Sequence, residues 1–109
     1  MQSYGKTFNL GDFIFHYGEN NHQLYYLLNG EITLNHNDKL IRIVHPGQYF
    51  GEMAMLSSTP TIADALVTSD TADVIVINEE NIETLLLDEP KVAMQFLREL
   101  ANRLQRQEE

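Results

Sequence analysis

The chain contains no cysteine. Neither a disulfide framework nor a cysteine-ligated zinc site can form, which is compatible with a reducing cytosol. Cations are scarce: seven Lys and Arg stand against sixteen Asp and Glu, for a net charge of −9. Binding to nucleic acid draws most of its affinity from neutralising phosphates with Lys and Arg. Here three of the seven cations, Arg98, Arg103 and Arg106, fall in the last twelve positions, so a direct DNA or RNA role is not expected. The same negative field repels anionic ligands, and a phosphate site would need local compensation. Long apolar runs are also missing. Segments such as 24–28 and 74–77 are far below the ~20 residues that span a bilayer. Residues 1–6 offer no apolar stretch for a signal peptide. The expectation is a soluble, cytoplasmic chain with no membrane segment of its own.

What remains is ordinary for a globular protein: 109 residues, 43% hydrophobic and 21% charged, enough for one core and one domain, 1–109. From Phe8 to Ile77 short β-type runs alternate with turn residues. Phe13-Ile14-Phe15 follows Gly11-Asp12, and residues 24–28 follow the polar cluster 18–22. Ile32-Thr33-Leu34 alternates, a turn is expected at 35–38, and in the next run Ile41 and Ile43 share one face with Arg42 on the other. Segments 63–67 and 74–77 complete the set. The spacing predicts a mostly β fold with C-terminal helices: a jelly-roll-like β-barrel of about eight strands over 8–77, plus two α-helices.

The helices are expected over 79–87 and 90–106. Asn78 reads as an N-cap, with Glu79 and Glu80 at the positive end of the dipole and Ile82, Leu85 and Leu86 facing inward. Pro90 is tolerated in the first turn of the second helix. Ala93, Leu97, Leu100 and Leu104 form its apolar stripe, with Val92 and Phe96 alongside. A two-heptad seam is too short to specify a coiled coil, so packing on the barrel is the minimum role.

The segment from Pro46 through Gly47, Phe50, Gly51, Glu52, Met53 and Ala54, followed by Pro60-Thr61-Ile62-Ala63, carries the functional signal. A glycine-bracketed turn running into a short helix aims backbone N–H groups at one spot, which suits phosphate or carboxylate. The cation that usually completes such a cradle is absent.

Three motifs together resemble the cyclic-nucleotide-binding domain family of catabolite-activator-type regulators, kinase regulatory subunits and gated channels. They are Gly11-Asp12-x-Ile14-Phe15-x-x-Gly18-Glu19, the run from Leu24 to Ile32 with Gly30-Glu31, and Pro46-Gly47-x-x-Phe50-Gly51-Glu52-Met53-Ala54. The resemblance covers roughly residues 8 to 105. It implies a ligand site at Phe50, Gly51, Glu52, Met53, Ala54, Thr61, Ile62 and Ala63. Glu52 would accept from a ribose hydroxyl, and Met53 and Ala54 would present N–H groups to the cyclic phosphate of cyclic AMP or cyclic GMP. Ligand-binding members carry Arg and then Ser or Thr where this chain has Thr61 and Ile62. A charge-assisted hydrogen bond contributes roughly 1.5–3 kcal/mol, so the missing Arg alone weakens binding by about 10- to 100-fold. The expected function is a regulatory sensor domain with weak, altered or lost cyclic-nucleotide binding.

The alternative is a ligand-free interaction or dimerisation module on the same fold. A homodimer or an attached output domain would engage the 90–106 helix. The family's output helix-turn-helix and its helices before the barrel have no counterpart in the sequence, so either a stand-alone protein or part of a longer one is expected. Glu52 equally suits a helix-capping role, and the aromatic set Phe13, Phe15, Tyr25, Tyr26, Tyr49 and Phe50 reads as core. His16, His22, His36 and His45 lack the paired spacing of a metal site, and no acid–base–nucleophile set marks an enzyme.

Overall fold

The computed structural model describes residues 5–51, 60–78 and 80–108. Its strands are β1 (Gly5–Asn9), β2 (Phe13–Phe15), β3 (Leu24–Asn29), β4 (Ile32–His36), β5 (Lys39–Val44), β6 (Tyr49–Phe50), β7 (Asp64–Val67) and β8 (Thr71–Ile77). Two helices follow, α1 (Ile82–Asp88) and α2 (Pro90–Glu108). The strands form two antiparallel four-stranded sheets, ordered β1-β8-β3-β6 and β2-β7-β4-β5. This is the jelly-roll arrangement expected from the strand spacing. It differs from the expectation in one respect: the sheets pack face to face and do not close into a barrel.

Strands β8, β3 and β6 of the first sheet are buried on both faces, and side-chain alternation divides their residues between two cores. Tyr25, Leu27, Phe50, Ala72, Val74 and Val76 face the second sheet and meet Phe15, Ile32, Leu34, Val44, Ala65 and Val67 there. Leu24, Tyr49, Ile75 and Ile77 face the other way and are covered by Leu85, with Ile82, Val92 and Phe96 packed against them. Each such aliphatic side chain, fully buried, stabilises by about 1.5–3 kcal/mol relative to exposure. The outer face of the second sheet stays open. Phe13, paired with Leu66 through β2 and β7, is 46% exposed there, outside the core where the sequence reading had put it.

β1 begins before Phe8, where the pattern gave no strand. Only Phe8 in that edge strand turns inward, so there is no alternation to read. The hairpin between β4 and β5 is tighter than expected, with Asn37 and Asp38 alone at positive φ and residues 35 and 36 in β4. The two residue types suit that left-handed conformation.

α1 starts three residues later than the capping pattern suggested, and the cause is a reciprocal asparagine pair. The Asn78 N–H donates to Asn81 Oδ1 at 2.9 Å, and the Asn81 N–H donates to Asn78 Oδ1 at 3.0 Å. That closed turn occupies the span where the first helical turn would lie, and Asn81 becomes the N-cap residue. Leu85 is buried as expected, whereas Leu86 is 48% exposed.

In α2 the inward face is Val92, Ala93 and Phe96, and Leu97 is 51% exposed. Tyr49 sets this rotation. Its hydroxyl donates to the Val92 carbonyl at 2.6 Å and its ring lies 4.7 Å from that of Phe96. With Phe96 fixed there, the next residue is carried about 100° round the helix and off the contact. The side chains at 100 and 104, the rest of the expected stripe, lie outside the described residues. Among the described residues no helix is long and apolar enough to cross a membrane.

Gly30, between β3 and β4, is the tightest point of the backbone. Its φ is +98°, and a Cβ there would sit 2.4 Å from the Thr71 carbonyl oxygen and 2.9 Å from Ala72 Cα. Left-handed strain and a backbone clash add, so Gly30→Ala is expected to destabilise by roughly 2–4 kcal/mol in urea-denaturation midpoint and slope.

Candidate functional site

β6 delivers the first described part of the expected site. Phe50 is fully buried, stacked on Tyr25 with centroids 5.1 Å apart and 6.1 Å from Phe15. Gly51 follows at φ +79°, with the Gln23 carbonyl 3.3 Å and the Phe15 and Tyr25 rings 3.4 Å from where a Cβ would project. The backbone therefore passes close under the β2–β3 connection, a path that favours glycine. Glu52, Met53 and Ala54, the expected ribose and phosphate contacts, lie outside the described residues.

The chain re-enters the description at Pro60. Thr61 is only 5% exposed. Its carbonyl accepts from the Gly18 N–H at 2.8 Å and its N–H donates to the Glu19 carbonyl at 3.0 Å. The hydroxyl donates to the His16 carbonyl and accepts from the Glu19 N–H at 3.0 Å. The side chain at the position where the resemblance implies an arginine is thus a buried link to the β2–β3 connection, with its hydroxyl already bonded as donor and acceptor.

Ile62, the second departure, is 64% exposed, while Ala63 is buried in the core between the sheets. Asp64, the first residue of β7, accepts from the Tyr17 N–H at 2.7 Å. It also lies 3.7 Å from His16 Nδ1, an ion pair when the imidazole is protonated. Of the eight expected site residues, the described ones are therefore two core residues, a half-buried glycine, one buried link and one exposed side chain.

The same β2–β3 connection forms one wall of a cleft of about 840 Å³ floored by Phe8 and Ile14. Along it Asn21 Nδ2 donates to the Tyr25 hydroxyl at 2.9 Å, which in turn donates to Gln23 Oε1 at 3.0 Å. Burial raises the Tyr25 phenol above its ordinary range; the Asn21 bond opposes this and the charge of Glu19 adds to it. None of the expected site residues that are described lines the cleft. Its size falls within the range of small-molecule sites. Among the described residues no group of three or more His, Asp or Glu could hold a metal ion.

Residues 5–89 match the family model described as the cyclic nucleotide-binding domain. The chain is similar to a cAMP-dependent protein kinase regulatory subunit of Hypocrea atroviridis, 35% identical over 65 residues, 60% of this chain and 14% of the relative. It is also similar to a CRP-like cAMP-activated global transcriptional regulator of Mycobacterium tuberculosis, 25% identical over 91% of this chain and 46% of the relative. The chain thus spans less than half the length of these two curated relatives. Among solved structures it resembles the Thermus thermophilus catabolite activator protein, with a TM-score of 0.73 and 26% identity over 95% of this chain and 51% of that one.

The hydroxyl of Thr61 gives a direct test of its structural role. Thr61→Val removes the hydroxyl from a part-buried link and leaves the His16 carbonyl and the Glu19 N–H only their mutual 3.3 Å bond; it is expected to cost about 1–2 kcal/mol, whereas Thr61→Ser retains most of the stability. Urea unfolding of the two variants reads the difference, and equal loss in both would contradict it.

Proposed function

The chain belongs to the cyclic nucleotide-binding domain family, and we propose that it is a regulatory small-ligand sensor whose cyclic-nucleotide binding is weak, altered or lost. One observation carries this reading. Thr61, where ligand-binding relatives of this type carry arginine, is buried and holds residues 16–19 through both its backbone and its hydroxyl. No cation comes from that position, and in a chain of net charge −9 a cyclic phosphate there meets an unfavourable field. The exposed Ile62 adds no hydroxyl. Phe50, Gly51, Glu52, Met53, Ala54, Thr61, Ile62 and Ala63 remain the proposed ligand-facing segment, with residues 1–109 acting as one unit.

The relatives are regulatory subunits and transcriptional regulators, which supports a binding role over catalysis. In this reading, occupancy shifts the position of α2, which passes the change to an attached domain or partner. A second reading is favoured by a specific observation: Met94 and Leu97 lie exposed on α2, at 47% and 51%. A ligand-free module that pairs through that helix would use them. Direct nucleic-acid contact is not part of either reading.

Calorimetry with cyclic AMP and cyclic GMP up to millimolar concentration tests the first reading. We expect no saturation below about 100 μM, roughly −5.5 kcal/mol. Tighter saturable binding of either nucleotide contradicts it.

A further inference from the structure

The cleft beside the β2–β3 connection has no part in the proposed function, yet its wall is firmly built. β1 contributes Lys6 and Phe8, which alternation puts on one face of the strand, and β2 contributes Ile14. The wall is the run from Glu19 to Gln23, anchored at each end. At its start the Glu19 N–H donates to the Thr61 hydroxyl and the Glu19 carbonyl accepts from the Thr61 N–H, both at 3.0 Å. Just past its end Tyr25 is 4% exposed, with its ring stacked on Phe50. A wall anchored in this way costs little further ordering when a ligand arrives.

Tyr25 sets the chemistry of that wall. Its hydroxyl carries one proton, so it accepts from one amide and donates to the other: Asn21 Nδ2 donates to it at 2.9 Å, and it donates to Gln23 Oε1 at 3.0 Å. Asn21 Oδ1 and Gln23 Nε2 are left without a hydrogen bond among the described residues. Among those residues no buried polar side-chain atom lacks a partner, so both ends are open to solvent. Turning both amides over exchanges the atoms and keeps the result, because a single hydroxyl always leaves one acceptor and one donor. Charge narrows the ligand further. Lys6 and the imidazole of His22 are met by Glu19 and Glu80 around the cleft, and in a chain of net charge −9 nothing there favours an anion.

We infer that this cleft is a second ligand site, which takes the uncharged base of a nucleoside, with Asn21 and Gln23 paired to the base edge and Phe8 and Ile14 beneath it. A nucleobase edge sets a donor beside an acceptor, and Asn and Gln amides recognise such edges in nucleic acids. Phe8 and Ile14 are half-buried and packed against the core, so they offer apolar contact to the flat of a ring. A cleft of about 840 Å³ has room for a nucleoside. The site is separate from the proposed ligand-facing segment and stands whether or not that segment binds a cyclic nucleotide. The two meet at Thr61, which belongs to the segment and anchors the wall at Glu19.

The test follows the Asn21 and Gln23 side-chain amide signals by NMR during titration with adenosine, guanosine, cytidine and uridine up to millimolar concentration. At least one nucleoside is expected to shift both signals saturably. Tyr25→Phe keeps the ring and releases both amides, and Gln23→Glu keeps the shape and replaces the donor by an acceptor. Each is expected to weaken that nucleoside by about 3- to 10-fold, the range of one neutral hydrogen bond. No saturable shift with any of the four overturns the inference. Affinity unchanged in both variants also overturns it, because the nucleoside is then held elsewhere, as does tighter binding of the 5′-monophosphate than of the nucleoside itself. If Tyr25→Phe does not fold, Gln23→Glu decides. The sensor reading fails separately: tight cyclic-nucleotide binding that Gln23→Glu leaves intact contradicts that reading alone.

Discussion

Four hydrogen bonds converge on Thr61, and they tie this part of the proposed ligand segment to residues 16–19. This constraint orders much of what surrounds it. It fixes the β2–β3 connection above Gly51, where the Gln23 carbonyl and two aromatic rings crowd the backbone. It directs Ala63 into the core and leaves Ile62 in solvent. It also places the start of β7 so that Asp64 can receive the Tyr17 N–H. A residue bonded in this way serves the architecture of the segment.

The first sheet provides the second organising feature. Three of its strands, β8, β3 and β6, are buried on both faces and link the space between the sheets to the helical layer. Tyr49 and Phe50 divide that work between adjacent residues: Phe50 packs with Phe15 and Tyr25, and Tyr49 turns outward to Val92 and Phe96. Burial pushes the Tyr49 phenol far above its ordinary range, with the neighbouring Tyr26 and Glu99 adding to it, so the hydroxyl stays a donor to α2. The contacts from β6 to α2 start at Tyr49, one residue before the proposed ligand-facing segment. The physical link between site and helix is short.

The strand pattern was readable where both faces of a strand are buried and the sequence shows a continuous apolar run, as in β3 and β8. It failed for β1, which turns a single side chain inward. In β5 alternation correctly grouped Ile41 with Ile43, but a period of two carries no sign. Pairing with β4 decided that Arg42, and not the isoleucines, faces the core side. In α2 the periodicity admitted Leu97 to the inward stripe, and a contact from Tyr49, far away in sequence, rotated it out. At the site, the Thr61-Ile62 departure was visible in the sequence through the family resemblance. The role of Thr61 was not, because the partners of its hydroxyl lie 42 and 45 residues away.

Native-state hydrogen exchange at the Gly18, Glu19 and Thr61 amides addresses the central claim most directly, because each of these N–H groups donates across the link. If Thr61 is a buried tie, all three exchange as slowly as the ladder amides of β2 and β7, through cooperative opening. Exchange at the rate of an open surface loop, with the ladders still protected, would contradict the account and return position 61 to the ligand.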